Sequence, residues 1–302
     1  MKRTIPTIDA GITSDKARRA ASIAASTRRQ NVSPGSTLEG LPLFSELKER
    51  VVAQLSSDMP ICVLRGTGYL DVGGEDRKPY LAELAALLGY VSDSNVVDER
   101  SGTFVDEVRP SDPGSKDVTF QLGACEAHAD ESSKLVPEDV VGLWCARPAA
   151  EGGSNLVWLT GDLVENIAAQ PNGPELVETL RQPDFMFGGK LRQPPKVVRA
   201  PIFFGQDGVR FRLGSLQDAI EVTERPLSEK QEAALKALIS ATQTATPLEY
   251  NLDAGEALVW MNRKALHSRT DFDDRSRLLY RTRCFNDALS NTRDDRSEWL
   301  TL

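Results

Sequence analysis

The sequence predicts a mainly β protein with flanking helices, an α+β chain of the sandwich or jelly-roll type. Three observations carry this. From about residue 95 onward, short β-rich segments follow one another with turn residues between them. Their connections are long and irregular, which disfavours an alternating βα architecture. The balance of 40% hydrophobic and 26% charged residues over 302 is that of a globular chain.

The first third reads as mixed. Asp15 is a candidate N-cap for a helix over Lys16–Arg29, and Pro34 and Gly35 interrupt the chain within Asn31–Ser36. Leu47, Val51, Val52 and Leu55 recur at helical spacing within Phe44–Leu55. Ile61–Arg65 is a short β-rich run closed by Gly66 and Gly68, and Tyr80–Leu88 is helical by pattern. Candidate strands then follow at Val118–Leu122, Val140–Cys145, Asn155–Leu159, Val197–Phe204, Val209–Leu213, Leu248–Leu252, Ala257–Met261 and Leu278–Phe285. Two helices interrupt them, at Gly161–Ala169 and at Ser228–Thr242, where Ser228 and Gln231 have the spacing of a capping box. The expected organisation is a basic helical extension at 1–39, a single domain at 40–285 and a charged tail at 286–302.

Composition narrows the function. A net charge of −8 disfavours nucleic acid, and no apolar run approaches the roughly 18 residues of a membrane helix. The charge is uneven, since residues 1–35 hold seven basic and two acidic side chains. Four cysteines without CxxC spacing read as reduced thiols of a cytoplasmic protein. The expected partner is a small-molecule substrate, with no nucleic acid and no membrane; homo-oligomerisation stays open.

Histidine is scarce, so each one needs a reason. His128 lies in an H-x-D with Asp130, and His267 comes 139 residues later. At a strand end, residues i and i+2 share a face, so an imidazole and a carboxylate converge on one cation. Two histidines and one carboxylate leave adjacent positions open, which suits non-haem Fe(II). Glu131 is the neighbouring carboxylate, and the i+2 geometry favours Asp130. Arg277 and Arg281 form an R-x-x-x-R on one strand, an even step that puts both guanidiniums on one side. A fixed guanidinium fork beside such a site suits a dicarboxylate.

Two stretches carry a resemblance: CEAHADESSKLVPEDVVGLWCARPAAEGG at 125–153 and LDAGEALVWMNRKALHSRTDFDDRSRLLYRTRCF at 252–285. With the "vLRG"-like Val63–Gly66, they resemble the Fe(II)/2-oxoglutarate-dependent oxygenases of the taurine dioxygenase and clavaminate synthase-like group, over about residues 40–285. The resemblance implies a double-stranded β-helix (jelly roll) core. It implies Fe(II), with 2-oxoglutarate and dioxygen (O2) as cosubstrates, and His128, Asp130 and His267 as the iron ligands. Arg277 then pairs with the distal carboxylate of 2-oxoglutarate, and Arg281 lies near the cosubstrate or takes the substrate's own carboxylate. Asn262 and Arg263 match a loop element read as structural. Relatives often place Thr after the Gly-Gly pair, whereas Ser154 and Asn155 stand here, leaving Asn155 as the cosubstrate donor.

The implied activity is hydroxylation of an unactivated C–H of a free or carrier-bound amino acid, releasing succinate and CO2. Retention of Asp130 points to oxygen chemistry, because halogenating relatives lack that carboxylate. A desaturase or cyclase, a non-amino-acid substrate, a zinc hydrolase on the same three ligands, and a jelly-roll binding protein without catalysis are the competing readings. Glu126, Glu107 and Asp218 are candidate acids for a substrate cation, with Glu126 foremost. Phe185–Gly189 and Phe203–Phe204 are core residues or a pocket wall.

Overall fold

A computed structural model describes residues 3–28, 36–92, 104–110, 121–189, 196–292 and 296–300. Its centre is a pair of facing sheets. The larger has the order β1-β2-β13-β6-β15-β3, with β4 also paired to β15. These strands are β1 (Thr7–Asp9), β2 (Ile61–Arg65), β3 (Tyr90–Val91), β4 (Asp106–Val108), β6 (Val140–Arg147), β13 (Ala257–Met261) and β15 (Leu278–Phe285). The smaller has the order β12-β7-β14-β5, from Leu248–Tyr250, Asn155–Leu159, Ala265–Arg269 and Cys125–His128. Strands distant in sequence alternate across both sheets in a jelly-roll arrangement without a closed barrel.

Strand alternation explains the apolar runs. On β2, Ile61 and Val63 point between the sheets, while Cys62 and Leu64 point outward. On β13, Leu258 and Trp260 point inward, and Ala257, Val259 and Met261 outward. Helices cover the outward faces, so these strands are buried on both sides and read as continuous hydrophobic segments. Helices α1 (Ser14–Arg28), α2 (Pro42–Leu55) and α3 (Arg77–Ala86) cover the larger sheet. Helices α4 (Thr160–Ala168), α5 (Gly173–Arg181), α6 (Leu213–Thr223) and α7 (Glu229–Thr244) build the layer on the smaller one. The Ser228–Gln231 capping box at the start of α7 is formed in both directions.

Several segments depart from the sequence reading. Residues 1–39 were expected as an extension, yet β1 pairs in parallel with β2, and Ile8, Ala17, Ala20 and Ala21 are buried in the larger sheet's outer core. In the expected tail, Leu289 enters that same core, and β16 (Glu298–Leu300) pairs with β9 (Lys196–Ala200), itself paired with β8 (Phe185–Gly189). Val197–Phe204 divides into β9 and β10 (Phe203–Phe204), and Val209–Leu213 holds only the end of β11 (Gly208–Val209) before α6 begins. Val118–Leu122 lies mostly outside the described residues. No helix among the described residues is long and apolar enough to cross a membrane.

Candidate metal centre

Two strands of the smaller sheet bring the histidines together. β14 runs antiparallel to β5 with His267 facing His128 in register, and the ring centroids lie 4.3 Å apart. Asp130 follows two residues after His128. Its Oδ1 lies 3.6 Å from His128 Nε2 and 3.7 Å from His267 Nε2. One potential ligand atom from each residue falls within 4.8 Å of the other two. The cluster lies at the inner face of the smaller sheet, with the Trp260 ring 4.8 Å from that of His267.

A bulge aims these side chains. Between His267 and Arg269, two steps on β14 match three on β5, where Arg269 faces Cys125. Cys125 and His128 therefore both face inward, although three residues apart. Ala127 packs instead into the helical layer, and Glu126 is left exposed. Glu126 enters the site through its backbone: its carbonyl accepts a hydrogen bond from His128 Nδ1 at 2.8 Å. A carbonyl can only accept, so Nδ1 carries a proton, and Nε2 is the ring nitrogen turned toward Asp130.

Asp130 is held at both ends. Asn262 Oδ1 accepts from the Asp130 N–H at 2.8 Å, while Asn262 Nδ2 donates to the Asp130 carbonyl at 3.0 Å and to that of Glu138 at 3.1 Å. Arg263 forms a buried ion pair with Asp139 beside it. The structural reading of Asn262 and Arg263 has its physical basis here. At the carboxylate, Oδ1 faces the histidines and Oδ2 faces Arg281 Nη1 at 3.4 Å and Arg283 Nε at 3.9 Å.

Electrostatics keeps this set ready for a cation. Burial by itself would raise the Asp130 carboxyl, but Arg281, His128, His267 and Arg283 hold it well below the usual range. Burial, reinforced by His128, brings His267 down to about 3, so its imidazole stays neutral. The result is one ionised carboxylate and, at His267, a neutral imidazole. This donor set fits a divalent metal.

The arginines divide their work in a way the R-x-x-x-R spacing did not reveal. Arg277 is 4% exposed and faces no carboxylate among the described residues. Its Nη2 reaches only the Gly153 carbonyl, at 3.5 Å, and its guanidinium stacks 4.8 Å over Phe272, which Arg269 covers at 4.6 Å. Burial, then Arg269, brings the Arg277 guanidinium down to about 10. Gly153 makes room for it, and Gly152 for the neighbouring Asp271 backbone. A Cβ on Gly152, at φ +70°, would lie 2.0 Å from the Asp271 carbonyl, and one on Gly153 would press on Arg277 Nε at 3.2 Å.

Arg281 was expected near the cosubstrate or on the substrate's carboxylate. It is already engaged: its Nη2 lies 3.2 Å from Asp106 Oδ2, in addition to the Asp130 contact. Arg283, which the sequence reading passed over, also pairs with Asp106, and with Glu131 at 3.2 Å. An R-x-R step on one strand was the available signal for Arg283. Asp106 gave none, because its partners lie 175 and 177 residues away.

The remaining candidates fall outside the centre or serve the frame. Asn155 faces Arg269 in register, and its Nδ2 is spent on the Tyr250 carbonyl at 3.2 Å. Glu107 pairs with Lys78 at 2.9 Å and Arg109 at 3.2 Å, and Asp218 lies on α6. Phe185, Phe187 and Phe203 are core residues of the helical layer. All four cysteines are free thiols; burial pushes Cys62, Cys145 and Cys284 up to about 12.

Facing jelly-roll sheets with an H-x-D and a distal histidine on the inner face define a class of metal-dependent oxygenases. The chain belongs to the taurine catabolism dioxygenase TauD, TfdA family, whose model matches residues 34–283. No curated protein matches at a significant level. Among solved structures, asparagine oxygenase in complex with Fe(II), 2S,3S-3-hydroxyasparagine and succinate is similar at a TM-score of 0.71 and 19% identity, over 97% of this chain and 98% of that one. The non-heme iron oxygenase OrfP in complex with Fe and alpha-ketoglutaric acid gives 0.66 and 16%, over 93% and 95%. OrfP with Fe, succinate and (3S)-hydroxy-L-Arg gives the same values. At these identities the likeness is one of fold.

Proposed function

We propose that this protein is an Fe(II)- and 2-oxoglutarate-dependent dioxygenase that hydroxylates an unactivated C–H of a small molecule, an amino acid first of all. The observation that carries the reading is the meeting of His128, Asp130 and His267; the buried Arg277, which faces no carboxylate among the described residues, supports it. His128, Asp130 and His267 would hold the iron. When bound, iron supplies oxidation of the C–H by O2, coupled to decarboxylation of 2-oxoglutarate to succinate.

The chain's own residues orient and exclude. Asn262 fixes the Asp130 backbone, and the Glu126 carbonyl fixes the His128 tautomer. Arg277 would take the distal carboxylate of 2-oxoglutarate as a bidentate pair, for which Gly153 leaves room. Arg277 is buried, so that pair is worth more than a surface one. The solved oxygenases named above, with asparagine- and arginine-derived amino acids, support an amino-acid substrate.

The test is anaerobic loading with Fe(II), followed by 2-oxoglutarate and air. Succinate forms in the wild type and not in Asp130→Ala. Turnover that survives Asp130→Ala, or that runs on Zn(II) alone, contradicts the reading.

A further inference from the structure

The charges at the centre leave one guanidinium over. Arg281 and Arg283 share Asp106 and Asp130, and Glu131 completes Arg283. Arg277 is accounted for by the cosubstrate under the oxygenase reading. Arg212 is half-buried, and among the described residues no carboxylate or hydrogen-bond acceptor meets its side chain.

The backbone brings Arg212 to the metal ligands. Val209 N–H donates to the Arg263 carbonyl at 2.7 Å, next to the head of β14. The Phe211 carbonyl accepts from Ala129 N–H at 2.7 Å, between His128 and Asp130. The run 209–212 thus meets the ends of both strands that carry the histidines. The Arg210 side chain is spent on the carbonyls of Ser132, Lys134 and Leu135. Arg212 comes two residues later, in extended backbone with φ −154° and ψ 115°.

Its place on α6 is also unfavourable unless something compensates. Arg212 is the N-cap of that helix and makes no capping hydrogen bond. Ser, Thr, Asp and Asn are the residues that stabilise an N-cap, and a cation there faces the positive end of the helix dipole. An anion placed there would satisfy the guanidinium and the helix N-terminus together.

We propose that Arg212 takes a carboxylate of the substrate and sets the charge class that the site accepts. The role sought for Arg281 passes to Arg212. A substrate with a free carboxylate in reach is selected, and a cationic side chain is refused. The inference rests on the oxygenase reading, and it deepens that reading by naming the substrate's chemistry. The carboxylate is either the α-carboxylate or a side-chain carboxylate, and the test separates them.

The probes are L-aspartate, L-glutamate, L-asparagine, L-glutamine, L-arginine and L-lysine, each free and as its α-methyl ester. Affinity is read by calorimetry on the metal-free protein, and succinate release is read on the Fe(II)-loaded one. The tightest ligand is expected to carry a carboxylate that matters. Loss of binding in the α-ester assigns it to the α-carboxylate, and loss from aspartate or glutamate to its amide assigns it to the side chain. Arg212→Gln should weaken that ligand about 10- to 100-fold, the range of one charge-assisted contact, and erase the preference for acid over ester or amide. Arg212→Lys should restore part of it.

Unchanged affinity in Arg212→Gln overturns the proposal. So does tightest binding of L-arginine or L-lysine by the wild type, indifference to every carboxylate, or no binding across the panel. Arg212-dependent binding without Fe(II)-dependent succinate instead faults the oxygenase reading and leaves the Arg212 assignment standing.

Discussion

The Asn262 carboxamide brackets the backbone of Asp130, accepting from its N–H and donating to its carbonyl, across 132 residues of chain. An H-x-D at the end of a strand has no ladder partners for its last residue, and Asn262 supplies them. Replacing it with Ala leaves a buried N–H and two carbonyls without partners, at about 1–3 kcal/mol for each lost group. Asn262→Ala should lower the melting temperature and weaken Fe(II) binding by about 10- to 100-fold, as losses of supporting contacts around metal ligands do. Anaerobic Fe(II) titration checks this. Unchanged metal affinity would show that Asp130 is positioned by other contacts.

Arg277 offers a prediction whose two halves have opposite signs. A buried cation without a counter-ion costs stability in the unliganded protein, and removing it relieves that cost. Arg277→Met should therefore leave the melting temperature unchanged or raise it, while the KM for 2-oxoglutarate rises by at least about tenfold. Arg277→Lys keeps the charge but loses the planar fork, and should fall between. Steady-state kinetics beside thermal melts decides it; a strongly destabilised Arg277→Met would mean that the guanidinium supports the fold.

The double glycine is the third case. Gly152→Ala must place a methyl group 2.0 Å from a backbone oxygen at φ +70°, which the chain can meet only by moving the Asp271–Phe272 segment. A loss of about 1–3 kcal/mol is expected. Gly153→Ala shares the backbone strain, at φ +71°, and also presses on Arg277 at 3.2 Å, so it should add a rise in the KM for 2-oxoglutarate to its loss of stability. Denaturant melts and kinetics on the two variants separate these effects; equal behaviour would contradict the division.

Acid dependence follows from His267. Its pKa is lowered from 6.5 to about 3 on folding, chiefly by burial. Between those values the unfolded chain holds a proton that the folded chain does not, so stability rises with pH across that window. Metal-free protein should lose stability as pH falls from 6.5 toward about 3. His267→Gln should flatten the upper part of that slope. Asp130, lowered, adds a loss only as pH falls below its ordinary value of 3.8. Melting curves from pH 7 downward test the sign; an identical slope in His267→Gln would refute it.

Much of this architecture was readable in the sequence where local and tertiary signals agree. β2, β7, β13 and β15 fall on the expected residues because each is a β-rich run, largely buried and bounded by turns. β14 was missed: ALHSR has little local β signal and owes its state to pairing with β7 and β5. Helix α6 was missed, the expected strand Val209–Leu213 reaching only its first residue, because it begins behind an arginine without a capping side chain. At the centre, His128, Asp130 and His267 stood out by scarcity and spacing. The partners of Arg281 did not, since an ion pair between β4 and β15 leaves no trace in either segment alone. Glu126 was misdirected by a bulge visible only in the register.

The most direct measurement is anomalous diffraction at the iron edge from crystals loaded anaerobically with Fe(II). The account predicts one strong peak bonded to His128 Nε2, His267 Nε2 and one carboxylate oxygen of Asp130. Iron bound elsewhere, or a peak lacking any of the three, would contradict it.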